Sequence, residues 1–288
     1  MSRVLLLIAA VACAGVGSPT PKTPAPVIVL VHGRGKLGED SAALRREWKR
    51  DLDLALEHIG VQPLADRDVR LAWYADVLDP ESEKGCAVVR DTAALGFGAF
   101  TRTLMATITS ALPERDSRDA RGLMGDILYV VDPWKRCAAE RSVGKVIDSA
   151  AAEGRPVIVV AYSLGAVVSY DYLSSQSPRS DVHLITLGSP LGIRELRELL
   201  LPDAPDLKRP PGVASWTNIY DANDVFAAPL GRAATRAGIV DRRVESSPTS
   251  EEAHEARHYL RDRATAEALA SALCAASSAR TARCFPER

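Results

Sequence analysis

One stretch constrains this chain more than any other. The apolar run Pro156-Val-Ile-Val-Val-Ala161 is followed, without a linker, by Tyr162-Ser163-Leu-Gly165-Ala-Val167. A β-branched run with no polar alternation suits a strand buried on both faces, as in parallel sheets. The segment from Leu164 to Ser174 then reads as a helix. A buried strand that turns straight into a helix implies a fold in which strands and helices alternate, giving a mostly parallel sheet with helices on both faces.

The rest of the chain keeps that rhythm. Val27-Ile-Val-Leu-Val31 is a second buried strand. Ser41 is expected to cap a helix running to about His58, with Leu44, Trp48, Leu52, Leu56 and Ile59 at spacings of three and four. Val69 to Tyr74, Val182 to Leu187 and Trp216 to Tyr220 read as further strands, and Gly238 to Val244 as a weaker one. A last helix is expected from about His258 to Ala275. The stretch from about Asp79 to Pro133 breaks the pattern. It is either a cap over the functional end of the sheet or an ordinary surface excursion. No internal repeat is visible. With 288 residues, 47% of them hydrophobic, there is ample material for the core of one large α/β domain. Thirty-six basic residues against 37 acidic ones give a net charge of -1, which excludes a nucleic-acid binder driven by phosphate neutralisation. Aromatic residues make up 5%, which argues against an aromatic-lined sugar or base groove.

The N-terminus has the marks of a processing signal. A basic start at Met1-Ser-Arg3, the apolar run Val4 to Ala12 and small residues resemble a secretory leader. The proline-rich stretch that ends at Pro26 reads as a tether. Residues 1–26 are therefore set apart from a domain over 27–288. Ala10-Val-Ala-Cys13 also resembles a bacterial lipoprotein cleavage box, in which Cys13 would carry lipid and tether the protein to a membrane. A periplasmic, membrane-anchored or secreted protein all fit this leader. Removing Cys13 leaves four cysteines, an even number that suits an oxidising compartment. Of the three pairings that four cysteines allow, Cys274–Cys284 closes a short C-terminal loop and Cys86–Cys137 staples the middle insertion. Free buried thiols are the alternative.

Three motifs point to one chemistry. Ser163 sits between a buried strand and an apolar helix, with the small residues Ala161 and Gly165 two places to either side. This is the pattern of the nucleophile elbow, usually Gly-x-Ser-x-Gly, with Ala161 in place of the first glycine. The turn lifts the serine oxygen above the sheet, where the positive end of the helix and its free N–H groups face a reacting carbonyl. The second motif is Val31-His32-Gly-Arg34-Gly35, a glycine-bearing loop after the first strand. It lacks the Gly-x-Gly-x-x-Gly spacing of a nucleotide site. The third is Thr186-Leu-Gly-Ser-Pro-Leu-Gly192, at the end of another strand.

On these residues the chain resembles the esterase/lipase branch of the α/β-hydrolase superfamily, over about Val27 to Ala275. The resemblance implies the α/β-hydrolase fold, an acid and then a histidine after the serine, and no metal or organic cofactor. Asp224, in Asn218-Ile-Tyr-Asp221-Ala-Asn-Asp224, best matches the acid, with Asp221 as alternative. His254, followed after four residues by Tyr259-Leu260, best matches the histidine, with His258 as alternative. The backbone N–H groups of Arg34 and Leu164 would form the oxyanion hole. Tyr162 stands where many members have histidine. The substrate class implied is a small-molecule or lipid ester, cleaved through an acyl-enzyme.

Two other readings compete. His254-Glu-Ala-Arg-His258 is literally H-E-x-x-H; on one helix it would hold zinc, with Glu255 as base, and make a metallopeptidase. A non-catalytic binding protein on the same fold is the other. His58 and His183 read as structural, and the Arg/Glu run at 194–198 as a solvated helix face.

Overall fold

The computed structural model describes residues 24–36, 38–79, 82–84, 86, 129, 132–175, 182–201, 207–244, 247 and 249–277. The segment expected to be a leader, Cys13, Cys284 and most of the stretch from 79 to 133 lie outside these residues.

Six strands form one all-parallel sheet: β1 (Val27–Val31), β2 (Val69–Ala72), β3 (Val157–Tyr162), β4 (Val182–Leu187), β5 (Val213–Tyr220) and β6 (Ile239–Arg243). Their order across the sheet is β2-β1-β3-β4-β5-β6. Every residue of β1, β3 and β4 is buried, as the apolar runs of β1 and β3 demand; β4 also buries His183 and Thr186.

Alternate side chains of these strands enter two cores. Val27, Val29 and Val31 of β1, with Val157, Val159 and Ala161 of β3, face α2 (Pro133–Ala152) and α3 (Leu164–Ser175). Ile28, Leu30, Ile158 and Val160 face the opposite side, against α1 (Ser41–His58) and α8 (Arg263–Ala276). The sheet is thus a middle layer with helices on both faces, and the period of two along each strand decides which core a residue joins. The smaller helices are α4 (Arg194–Leu200), α5 (Gly231–Arg236), α6 (Ser250–Ala253) and α7 (Ala256–Arg261).

Several expectations need adjusting. Helix α1 has the expected span, but Asp40 is its cap: its carboxylate accepts from the Ala42 N–H at 2.8 Å. The last helix is two helices. Asp262, extended at φ -73° and ψ 145°, ends α7 and caps α8 through the Ala264 N–H. Strand β5 begins three residues earlier than the expected Trp216. Helix α2 was not foreseen. Asp132 caps it and Pro133 occupies its first turn, both favourable start signals.

Cys86 and Cys137 form a disulfide, with Cα atoms 5.8 Å apart, tying the segment after β2 to α2. Cys274 is also disulfide-bonded. His58 Nδ1 lies 2.6 Å from the Leu54 carbonyl and His183 Nδ1 lies 2.8 Å from Ser215 Oγ, so both serve the scaffold. Arg194 pairs with Glu198 on the exposed face of α4, as a solvated charge run should.

Candidate active site

All six strands point the same way, so the loops that leave their C-terminal ends gather on one edge of the sheet. From β1 the chain goes to β2 on one side and then returns to β3 on the other. That reversal opens a crevice outside the carboxyl ends of β1 and β3, the usual ligand position in open α/β sheets. Both the His32–Gly35 loop and Ser163 leave the sheet there.

Ser163 has φ 53°, making it the one non-glycine residue with positive φ among those described. The strain of this left-handed conformation is typical of functional positions. Its N–H donates to the Leu187 carbonyl at the end of β4 (2.9 Å), which fixes the turn to the neighbouring strand. Close packing then explains the glycines. A Cβ on Gly165 would lie 2.3 Å from the His32 carbonyl oxygen, and one on Gly33 would lie 2.8 Å from the Tyr162 ring and 3.0 Å from Ser163 Cβ. Elbow and loop can press together only because both residues lack a side chain. Ala161, at the position usual for a glycine, is an ordinary buried strand residue of β3.

The loop after β1 is held by His32. Its ring stacks on Tyr74, with centroids 4.2 Å apart, and its Nε2 accepts the Tyr74 N–H (3.2 Å). The Tyr74 hydroxyl returns a bond to the His32 carbonyl at 2.7 Å. Burial pushes the His32 pKa down to about 4, so the ring is neutral and can accept. The Arg34 guanidinium lies 5.1 Å from the centroid of the Phe226 ring, which in turn packs 4.8 Å from the His254 ring. Leu164 is the first residue of α3, in the turn whose N–H groups have no acceptor within the helix.

Ser163 Oγ lies 3.1 Å from His254 Nε2, and His254 Nδ1 lies 2.8 Å from Asp224 Oδ2. His254 occupies the turn between α6 and α7. Asp224 stands on the loop after β5, its side chain fully buried. Its Oδ1 accepts the Phe226 N–H at 2.8 Å, and its Oδ2 accepts the Tyr259 hydroxyl at 2.7 Å. This geometry fits a histidine whose Nδ1–H donates to the carboxylate while Nε2 accepts from the serine hydroxyl.

The two alternative residues form a pair of their own. His258 Nε2 lies 2.9 Å from Asp221 Oδ2, and its Nδ1 lies 3.4 Å from Ser247 Oγ. Burial raises the Asp221 pKa, but the N–H groups of Asn223 and Ser247 and the His258 ring outweigh it and hold the carboxyl below its ordinary value. The pair binds α7 to the loop that carries Asp224 and does not reach Ser163. His254 and His258 therefore engage different carboxylates, and His254 lies outside α7. Among the described residues, no three His, Cys, Asp or Glu side chains are grouped to hold a metal ion.

Beside Ser163 and His254 opens a cleft of about 450 Å³. Leu44, Trp48 and Tyr162 give it an apolar wall; Arg34, Lys36, Glu47, Glu255 and Arg257 supply charge.

Two residues of the site were not assigned a role by the sequence, Tyr162 and Tyr259. The Tyr162 hydroxyl donates to the His254 carbonyl, and the Tyr259 hydroxyl lies between the Asp221 N–H and Asp224. A tyrosine directly before the serine was the available signal, but its hydrogen-bond partner lies 92 residues away in sequence.

No family model, no curated protein and no solved structure matches this chain, so the arrangement of its own residues is what bears on its function.

Proposed function

We propose that this protein is an exported serine hydrolase of the α/β-hydrolase fold that cleaves carboxylic esters through an acyl-enzyme. One observation carries the reading. A strained serine at the end of a central strand has its oxygen 3.1 Å from a histidine that is itself 2.8 Å from a buried aspartate. The three come from separate places in the chain and occur in the order serine, acid, histidine. The sheet order supports the fold assignment, because it sets the serine strand in the interior of the sheet at the reversal between β1 and β3.

The chemistry divides among these residues. His254 Nε2 takes the Ser163 proton as the serine oxygen attacks the ester carbonyl. Asp224 keeps the imidazole in the required tautomer and stabilises its cation. The N–H groups of Leu164 and Arg34 receive the oxyanion. His254 then gives its proton to the departing alcohol, leaving an acyl-serine. Water enters, loses a proton to His254, attacks the acyl carbonyl and releases the acid. Ester and water are consumed; alcohol and acid are formed.

The charged rim of the cleft supports a polar ester over one with a long alkyl chain. Five of its lining side chains carry charge, and burying an alkyl chain there would strip water from them without return. Export rests on the N-terminal pattern, and the Cys86–Cys137 bond fits an oxidising compartment.

A fluorophosphonate probe, which bonds to activated serine, tests the reading beside Ser163→Ala. The parent is expected to label and the variant to stay unlabelled. A folded parent that does not label would overturn it. On labelled parent, esters of graded acyl length are expected to be hydrolysed faster when short and polar.

A further inference from the structure

The tyrosines that flank the site meet its two weakest supports. His254 sits in a turn between a four-residue helix and a six-residue helix, neither long enough to be rigid alone. Asp224 is carried by a loop. A histidine so mounted needs an outside anchor if its Nε2 is to stay within reach of Ser163.

Tyr162 supplies one. It is the last residue of β3, fixed in the central sheet, and its hydroxyl donates to the main-chain carbonyl of His254 itself. Its ring is clamped on several sides. It lies edge-on to Trp48 of α1 with centroids 5.9 Å apart, 5.4 Å from the His254 ring, and beneath Gly33 of the β1 loop. Burial, and then the charge of Asp224, pushes its hydroxyl pKa above the ordinary tyrosine value, so it stays a donor.

Tyr259 supplies the other. Its hydroxyl accepts the Asp221 N–H at 3.0 Å and donates to Asp224 Oδ2 at 2.7 Å. That carboxylate oxygen is the one that His254 Nδ1 meets. Tyr259 belongs to α7, just after His254, and its ring is fully buried 6.2 Å from that of Tyr162. A Cβ on Gly188 would lie 2.8 Å from the Tyr259 ring and 3.3 Å from Asp224 Oδ2, so the end of β4 closes the same spot.

Resting on the proposed hydrolase reading, we infer that Tyr162 and Tyr259 are positioning residues: Tyr162 holds the backbone of the general base, Tyr259 orients its carboxylate partner, and together they set the His254–Asp224 bond against Ser163. Tyr162 is then the answer to a sequence feature that the nucleophile motif leaves unexplained. The Tyr162 ring lines the cleft, but its hydroxyl is turned to His254, so replacing tyrosine by phenylalanine, which keeps the ring, should leave substrate binding little changed.

The test compares parent, Tyr162→Phe, Tyr259→Phe and the double variant on a short ester, with fluorophosphonate labelling rates in parallel and Ser163→Ala as the blank. Each single variant is expected to lose about 10- to 100-fold in kcat with KM little changed, since small displacements of a catalytic group are costly. Labelling should slow by the same factor. The double variant should lose less than the product of the single losses, because both act on one bond. The low-field proton resonance of the His254 Nδ1–H should shift in Tyr259→Phe. Parental kcat and labelling in both single variants would overturn the inference, as would losses that track a fall in thermal midpoint and raise KM equally. Should a Phe variant fail to fold, fluorotyrosine at the same position keeps the ring and alters the donor; a labelling rate indifferent to it at both positions would also overturn the inference. A parent that never labels removes the hydrolase reading and this one with it, which is a distinct result.

Discussion

At the scale of single residues, conformation and chemistry meet at Ser163. Its φ of 53° costs any residue with a Cβ about 1 kcal/mol that glycine does not incur. Ser163→Gly should therefore melt at a higher temperature than Ser163→Ala, and both should be inert toward the fluorophosphonate. Equal melting temperatures would mean that the turn is unstrained. The same scale separates the two aspartates. The resemblance favours Asp224 as the acid and His254 as its partner, with Asp221 and His258 as alternatives. Their hydrogen bonds divide them into two pairs, one reaching Ser163 and one fastening the loop. That division depends on where a loop turns after β5, which no local pattern encodes.

At the scale of elements, legibility followed the strength of the pattern. Strands β1 and β3 are apolar runs and β4 is a mainly apolar one, and the strands lie where those runs lie. Helix α1 shows its buried face through Leu44, Trp48, Leu52 and Leu56, large side chains at helical spacing. Helix α2 was missed because its buried face is made largely of Ala138, Ala139, Gly144, Ala150 and Ala151, which contrast little with their surroundings. Such small residues are needed: a Cβ on Gly144 would lie 2.3 Å from the Tyr172 ring of α3. The disulfide anchors this helix near its start, across a separation of 51 residues. Closing a loop of that size is worth about 2–4 kcal/mol through the unfolded chain. In the absence of reductant, a Cys86→Ala/Cys137→Ala variant, which keeps the bond at Cys274, should melt below the parent accordingly. Coincident melts would show that the bond adds nothing to stability.

At the scale of the whole molecule, the parallel sheet decides where everything else goes: six strand ends on one edge, two cores behind them, and a crevice where the winding reverses. The parallel sheet between two helical layers followed from strand–helix alternation, whereas the strand order, and with it the place of the crevice, did not, since it is set by long-range pairing. Global stability should carry the imprint of His32, whose pKa falls from 6.5 unfolded to about 4 in the fold. Between those values the unfolded chain binds a proton that the folded one refuses. Stability from this group is complete above pH 6.5 and is lost as pH falls toward 4, by roughly 3 kcal/mol. Equilibrium unfolding in urea at pH 7 and pH 4.5 should reveal the loss, and His32→Gln should flatten it. The wide separation of Ser163 and His254, 91 residues apart in the chain, has a consequence in time. Synthesis delivers Ser163 first, then Asp224, and after both of them His254 and Tyr259. A growing or unfolded chain thus holds a serine with no base beside it. On the proposed hydrolase reading, the serine gains its base only when the segment that carries His254 closes onto the sheet, so reactivity waits on that long-range contact.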